Sequence, residues 1–488
     1  MKKLLFVCFA IGAASAFAVP TLSDVRARPV GSDDKSVRIT YILGDPATKG
    51  GDPAVITLGL YRKSTGEYID EGSYTNLSGD VNCLVQPGTS RSLIWKKENN
   101  WSIADSDIDV RLRAWPTNCP PNYIVFFDLT KKKTAATQVK YYVSPKAFPV
   151  PLSDIMYRTS CLVMRKIPAA NVEWRMGSPA QEAERAKNYT GGSSAGENLH
   201  YVRLTEDYYL GIYPVTYGQQ CKAVETFKYG AWQDTVPAEI EEARQDDWPA
   251  SPIQFVSLRS WMHDNSKGCN GDCGVNILAW PEDGHQIDAA KANKCVKSGG
   301  TYTPYLRSWR DNYGFEFDIP TDAQWEFACR AGTLSMAYND DRAAYTNLMP
   351  QAKLDEIAWN VKNSSNTTAG MNTAQPVGQK TPNAYGLYDM LGNVFEWCLD
   401  VQHTPETSAD TTVDPEGATG VVNNRSCNHI LRGGSFCSPV ELCRAAARLP
   451  YNVPSLNFGV YFDASVSGQA TASWHNGYRL CMPAQAVR

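Results

Sequence analysis

Two cysteines and a serine near the carboxyl end of the 488-residue chain have side chains and spacing that could do chemistry. Ser435, Cys437 and Cys443 lie in the stretch GGSFCSPVELCRAAAR, directly after two glycines. Two thiolates suit a soft metal ion such as Cu(I), whereas two thiols in an exported protein can form a disulfide. We favour the disulfide, within this loop or to Cys427 or Cys481.

A second stretch, GLYDMLGNVFEWCLD at 386–400, combines two glycines, three aromatic side chains and three acids. Glycine and asparagine tolerate the positive φ angles that tight turns require, so the pair Gly392-Asn393 predicts a turn. The aromatic rings supply apolar surface for a core that regular sheets would otherwise provide. We therefore interpret this stretch as a scaffold and not as a catalytic centre.

The first 18 residues, MKKLLFVCFAIGAASAFA, are typical of a secretory signal peptide. Two lysines precede an apolar run, and small residues at Ala16 and Ala18 form a cleavage site, so the mature chain is expected to start near Val19. The apolar run is short for a membrane span, and no later stretch approaches one. We expect an exported protein that is periplasmic, secreted or at the cell surface.

Composition argues against several classes of function. The net charge is −4 and no basic stripe is apparent, so nucleic acid is not an expected partner. The six histidines show no H-E-x-x-H spacing, and no glycine-rich phosphate loop appears. Hydrophobic residues make up 43% of the chain, which is enough to build the cores of two or three domains.

The pattern along the chain predicts two folded regions. Residues 19–117 alternate apolar and polar residues between Gly, Asp and Pro turns, which predicts an all-β sandwich. Residues 118–160 read as a linker that carries one strand. From residue 161 onward long loops are interrupted by few helices, and the spacing Thr216–Gln219 and Thr321–Gln324 predicts capping boxes at two helix starts. A third and weaker helix start lies near Ser257.

Seven motifs occur in order after residue 160 and resemble those of the formylglycine-generating enzyme, or sulfatase-modifying factor, superfamily. They are RKIPAANVEWRMGSP, DYYLGIYPVT, SPIQFVSL, FDIPTDAQWEFACRAGT, PVGQKTPNAYGLYDMLGNVFEW, LRGGSF and GYRL. The resemblance implies an α+β fold class, in which residues 161–488 form a variant of the C-type lectin fold rich in irregular loops. The preceding β-sandwich resembles an amino-terminal module of some bacterial members.

The resemblance also implies a calcium site in the 386–400 stretch. Its ligands would be the backbone carbonyls of Leu391, Gly392 and Val394 and the side chain of Glu396, an oxygen cage of the kind that Ca²⁺ prefers. The alternative is that Glu396 caps a turn or pairs with an arginine. The residues alone leave both interpretations open.

In the family's enzyme, two cysteines separated by four residues after Gly-Gly-Ser hold copper, and the enzyme oxidises a substrate cysteine to formylglycine. Here five residues separate Cys437 from Cys443, and alignment on RAAAR places neither on a copper position. If the site were active, Ser435 would line its substrate cleft; otherwise it is a turn residue.

Two hypotheses follow from this mismatch. The favoured one is a non-catalytic binding or structural module that contacts a protein or polysaccharide. Its contact surface would be the loops 360–375 and 437–476, with Tyr461 and Trp474 as candidate exposed anchors. The alternative is a copper-dependent oxidase that acts on a sulfatase peptide.

Overall fold

The computed structural model describes residues 20–31, 35–45, 47, 50–127, 129, 139–182, 197–223, 245–251, 315, 317–340, 349–367, 371–401, 411–415, 429–450 and 475–484. The chain divides into two compact units, the first comprising Met1–Pro120 with Lys146–Pro149 and the second Pro121–Pro145 with Val150–Arg488. The predicted signal peptide and the predicted helix near Ser257 lie outside the described residues. In the described part of the chain, no helix is both long and apolar enough to cross a membrane.

The first unit consists of two antiparallel sheets. Its strands are β1 (Leu22–Val30), β2 (Ser36–Leu43), β3 (Ala54–Arg62), β4 (Leu77–Gly79), β5 (Leu84–Val85), β6 (Gly88–Lys96) and β7 (Ile108–Pro116). They pair in the orders β1-β2-β6-β4 and β5-β3-β7. Alternate residues of both sheets, such as Ile39, Leu60 and Leu93, are fully buried in one cluster, which is the arrangement of a β-sandwich.

The main sheet of the second unit has five antiparallel strands in the order β21-β13-β10-β8-β9. They are β8 (Tyr123–Phe126), β9 (Val139–Tyr142), β10 (Leu162–Ile167), β13 (Tyr208–Gly211) and β21 (Cys481–Pro483). The segment 118–160 was expected to be a linker with one strand. It instead contributes β8 and β9 to this sheet, because their buried apolar side chains complete its core.

The described residues of the second unit form three further, smaller sheets. Their strands are β11 (Val172–Met176), β12 (His200–Leu204), β14 (Ser365–Asn366), β15 (Met371–Asn372), β16 (Phe395–Val401), β17 (Thr412–Val413), β18 (His429–Arg432), β19 (Arg448–Pro450) and β20 (Asn476–Gly477). The orders are β11-β12-β17, β14-β15 and β19-β18-β16-β20. The described residues are therefore mostly β-structure joined by irregular segments.

Among the described residues of the second unit there are four short α-helices: α1 (Met156–Thr159), α2 (Tyr217–Ala223), α3 (Asp322–Arg330) and α4 (Gln351–Ile357). Single 3₁₀ turns occur at Glu71–Ser73, Asp105–Asp107 and Pro145–Ala147. Both predicted capping boxes are present. Thr321 Oγ1 accepts the Gln324 N–H while the Gln324 side chain accepts the Thr321 N–H, and Thr216 and Gln219 do the same before α2.

Candidate functional site

The candidate site lies on the turn that follows β18. Gly433 and Gly434 have φ angles of 89° and 78°, in the region where a side chain is strained. A Cβ at Gly433 would lie 2.8 Å from the Met390 carbonyl oxygen, and one at Gly434 would lie 2.8 Å from the Cys443 sulfur. Two consecutive glycines are therefore needed to pass the backbone between these neighbours.

Ser435 is a turn residue. It is 1% exposed, and its hydroxyl lies 3.1 Å from the Ser438 hydroxyl and accepts the backbone N–H of Cys437. The Ser435 N–H also donates to the Ser438 hydroxyl. Since these bonds close the turn on itself, the structure favours the turn interpretation over a serine that lines a cleft.

The two cysteines that follow this turn have different surroundings. The Cys443 sulfur is fully buried against the Gly434 backbone, and burial raises the pKa of this thiol to about 12 despite a backbone hydrogen bond from Gly392. Cys437 is partly exposed and packs against an apolar cluster that includes Trp248 and Phe436. Burial raises its pKa to about 12 as well. Both side chains are therefore neutral thiols at neutral pH.

The favoured disulfides are absent from the described residues. Cys437, Cys443 and Cys481 are all free thiols, so no bridge closes the loop or reaches Cys481. Cys427 lies outside the described residues. The thiols also fit poorly as a copper pair, because a two-thiolate site needs both sulfurs to face one metal ion and the Cys443 sulfur is enclosed under Gly434.

An aromatic pair lies beside Cys437. The Phe436 ring stacks on the His475 ring with centroids 4.9 Å apart and planes 21° from parallel. Burial lowers the pKa of His475 to about 3, so its ring is neutral at physiological pH. The sequence contained no signal for this pairing, because 38 residues separate the two positions and no histidine spacing motif is present.

The carboxylate of Glu396 is held by an arginine and a tryptophan. Arg479 Nη2 lies 2.8 Å from Oε1, its Nε lies 3.1 Å from Oε2, and the Trp325 indole donates to Oε2 at 2.7 Å. Glu396 is 1% exposed and Arg479 is fully buried. This is the arginine pairing that the sequence left open, and a guanidinium already neutralises the carboxylate.

The Arg479–Glu396 ion pair occupies the place of the side-chain ligand in the predicted calcium cage. Glu396 does not fit as a calcium ligand, because a Ca²⁺ ion would have to share its oxygens with the Arg479 guanidinium. Leu391 and Val394 are buried, and the Gly392 N–H donates to the Gly433 carbonyl, which joins the scaffold stretch to the glycine turn. Within the described residues, no group of three or more His, Cys, Asp or Glu side chains could hold a metal ion.

A buried charge network that the sequence did not predict fixes helix α3 to the sheet beneath it. Arg432 pairs with Asp322 and, at 2.9 Å, with Glu326, while Arg330 pairs with the other Glu326 oxygen at 2.8 Å. The Asp322 N–H donates to Asp400 at 2.6 Å. Burial, followed by repulsion from Asp322, raises the pKa of Asp400 to about 7.

A second buried arginine follows Cys443 directly. Arg444 pairs with Glu182 at 2.6 Å and with Glu197 at 2.9 Å. The Glu197 carboxylate also accepts the Ser178 hydroxyl at 2.9 Å. The RAAAR segment is therefore anchored by ion pairs on its inner side, which supports a structural role for it.

The predicted contact loops are only partly described. In loop 360–375, Asn360, Ser364 and Thr373 are buried, and the Ser364 hydroxyl donates to the Phe436 carbonyl at 2.7 Å. Much of this loop thus supports the glycine turn from within. Tyr461 and Trp474 lie outside the described residues.

The sequence is similar to a protein-family model and to several known proteins. The model of the sulfatase-modifying factor enzyme 1-like domain matches residues 166–457. The formylglycine-generating enzyme of Streptomyces coelicolor is 33% identical over 147 residues, which cover 29% of this chain and 43% of that enzyme. The chaperone protein LppX of Paenibacillus barcinonensis is 36% identical over 208 residues, which cover 37% of this chain and 72% of that protein.

The matches to the enzymes are partial. The chain spans less than half the length of the formylglycine-generating enzymes of Streptomyces coelicolor and Thermomonospora curvata. Among solved structures, Treponema denticola variable protein 1 is 21% identical with a TM-score of 0.39, and the match covers 66% of this chain and 95% of that one.

Proposed function

Because this chain belongs to the sulfatase-modifying factor enzyme 1-like domain family, we propose that it is an exported, non-catalytic member that binds a protein partner. In this proposal the second unit is a scaffold for recognition. Its irregular loops meet the partner, and the glycine turn, the buried ion pairs and the 386–400 stretch hold those loops in place.

The position of Cys443 is the observation that carries the non-catalytic part. Its sulfur is fully buried and lies against the Gly434 backbone. The Ser435 hydroxyl lies against that of Ser438 in a turn, which supports a structural role for this serine. A copper site would need both sulfurs to reach one ion, and the burial of the Cys443 sulfur against Gly434 supports the non-catalytic assignment.

We choose a protein as the partner because of how much of each relative the sequence similarity covers. The relative named as a chaperone is covered over most of its length, whereas the enzymes are covered over less than half of theirs. A chaperone's ligand is a polypeptide, and we extend that class of partner to this chain.

A copper-dependent oxidase that converts a sulfatase cysteine to formylglycine is the second candidate. Family membership and the placement of Cys437 favour it, since Cys437 follows the Gly-Gly-Ser turn and is only partly buried. It would require the loop that ends at Cys443 to open and bring both sulfurs to one ion.

An aggregation assay tests the proposed function. Reduced α-lactalbumin is the probe polypeptide, and light scattering reports its aggregation with and without the full-length protein, with serum albumin as a matched additive. We expect the full-length protein to suppress scattering at near-stoichiometric concentration and serum albumin not to. Equal scattering in both samples would contradict the protein-binding part of the proposal.

A further inference from the structure

The outward face of the sheet β1-β2-β6 in the first unit carries an excess of positive charge. Residues that alternate with the buried core positions point outward, and four of them are exposed cations: Arg26, Arg28, Arg38 and Lys96. We call these four residues the basic face. They are spread over three strands, so the linear sequence contains no basic run at this position.

Arg28 and Arg38 are directly opposite each other on neighbouring antiparallel strands. Cβ atoms of such pairs lie about 5 Å apart, and like charges in this arrangement are destabilising. Neither guanidinium has an ion pair or side-chain hydrogen bond within the described residues, whereas Arg26 is paired with Asp24 at 2.7 Å. Lys96 likewise lacks an ion pair there. An anion placed between Arg28 and Arg38 would offset their repulsion.

Hydroxyl groups lie between the cations. Ser36 is the cross-strand partner of Lys96, and Thr40 is the partner of both Arg26 and Ser92. Outward side chains on neighbouring strands lie about 5 Å apart across the sheet, and successive outward side chains of one strand lie about 7 Å apart. The basic face is thus a regular array of hydrogen-bond donors, which matches a polymer that carries repeated anionic groups.

We propose that the basic face binds an anionic polysaccharide through its sulfate or carboxylate groups. Arginine donates bidentate hydrogen bonds to such groups, and serine and threonine hydroxyls can bond to sugar hydroxyls. A protein partner is disfavoured because an interface core needs a large apolar or aromatic anchor, and the outward apolar side chains Val30, Ile42 and Ile94 are aliphatic and half-buried. The inference concerns the first unit and is independent of the function proposed for the second.

The test measures binding of the full-length protein to immobilised dextran sulfate, with uncharged dextran and poly-glutamate as comparison ligands. The variant Arg28→Gln/Arg38→Gln removes the opposed pair. Its matched control is Arg175→Gln/Arg203→Gln, which removes two exposed arginines from sheet β11-β12-β17 and changes the net charge by the same amount. We expect at least a tenfold weaker affinity for the first variant and less than a twofold change for the control. Dependence on salt should be weaker in the first variant.

Each remaining outcome overturns the proposal. Equal losses in both double variants would show that only net charge matters, and binding to poly-glutamate as tight as to dextran sulfate would assign the face to acidic polypeptides. Absence of binding to dextran sulfate would also refute it. Folding is checked by thermal denaturation, in which Arg28→Gln/Arg38→Gln should melt no lower than wild type because it relieves a like-charge contact.

Discussion

Replacing Arg479 with methionine should destabilise the second unit by about 3–5 kcal/mol at pH 7, the range for breaking a buried ion pair. The structure shows why the cost is high. Within the described residues, the change leaves the Glu396 carboxylate with the Trp325 indole as its one hydrogen-bond donor, and it removes the Arg479 hydrogen bonds to the Gly211 and Tyr388 carbonyls.

The loss includes the cost of a buried carboxylate that has lost its cation, so removing that carboxylate should lower it. The double variant Glu396→Gln/Arg479→Met should recover part of the loss at pH 7 for the same reason. Hydrogen exchange along a urea series, read on peptides from β16, isolates the second unit from the first.

The control is Lys353→Met, which removes a cation from an exposed pair with Glu356 and should cost less than about 0.5 kcal/mol. A loss for Arg479→Met below about 1 kcal/mol, or one that the added Glu396→Gln change does not reduce, would refute the reasoning. A wild-type stability that rises with added Ca²⁺ and falls with a chelator would contradict the conclusion that arginine, and not calcium, neutralises Glu396.

Three further predictions concern the scaffold. Gly392→Ala should destabilise the protein by about 2–4 kcal/mol, because φ is +74° and a Cβ would lie 2.2 Å from the Trp359 carbonyl oxygen. Gly332→Ala, at φ +91° but with open space around the Cβ, should cost about 1 kcal/mol. Urea denaturation of the two variants measures the difference. Asp400 has a folded-state pKa of about 7, above its unfolded value of about 4, so it makes the free energy of unfolding fall as the pH rises between those values. Asp400→Asn should reduce this dependence of stability on pH, which a series of denaturation midpoints at different pH values measures. Thr321→Ala should cost about 1 kcal/mol by loss of the cap of α3, and circular dichroism melting measures it.

Local signals predicted the parts of the fold that local chemistry determines. The capping box at Thr321 and the turn at Gly392-Asn393 depend on residues within a few positions of each other, so the sequence contains the whole signal. The sequence predicts one strand in the linker 118–160, which corresponds to β8. It does not predict β9 or the pairing of β8 with β10, because that pairing depends on a segment further along the chain.

The candidate site was harder to anticipate for the same reason. The ordered motifs located the glycine turn, but the partners of its residues come from distant segments, as with Arg479 on Glu396 and His475 on Phe436. Sequence spacing indicated that Cys437 and Cys443 are misplaced for copper. It could not show that the Cys443 sulfur is buried beneath Gly434, since that contact depends on the path of the turn.

The most direct test of the non-catalytic assignment uses the purified full-length protein loaded with Cu(I) and mixed with a peptide containing Cys-x-Pro-x-Arg. Mass spectrometry follows conversion of the peptide cysteine to an aldehyde under oxygen. We expect no conversion by the wild type, and no difference between it and Cys437→Ser or Cys443→Ser. Conversion by the wild type that is lost in both variants would contradict the non-catalytic assignment and establish the oxidase.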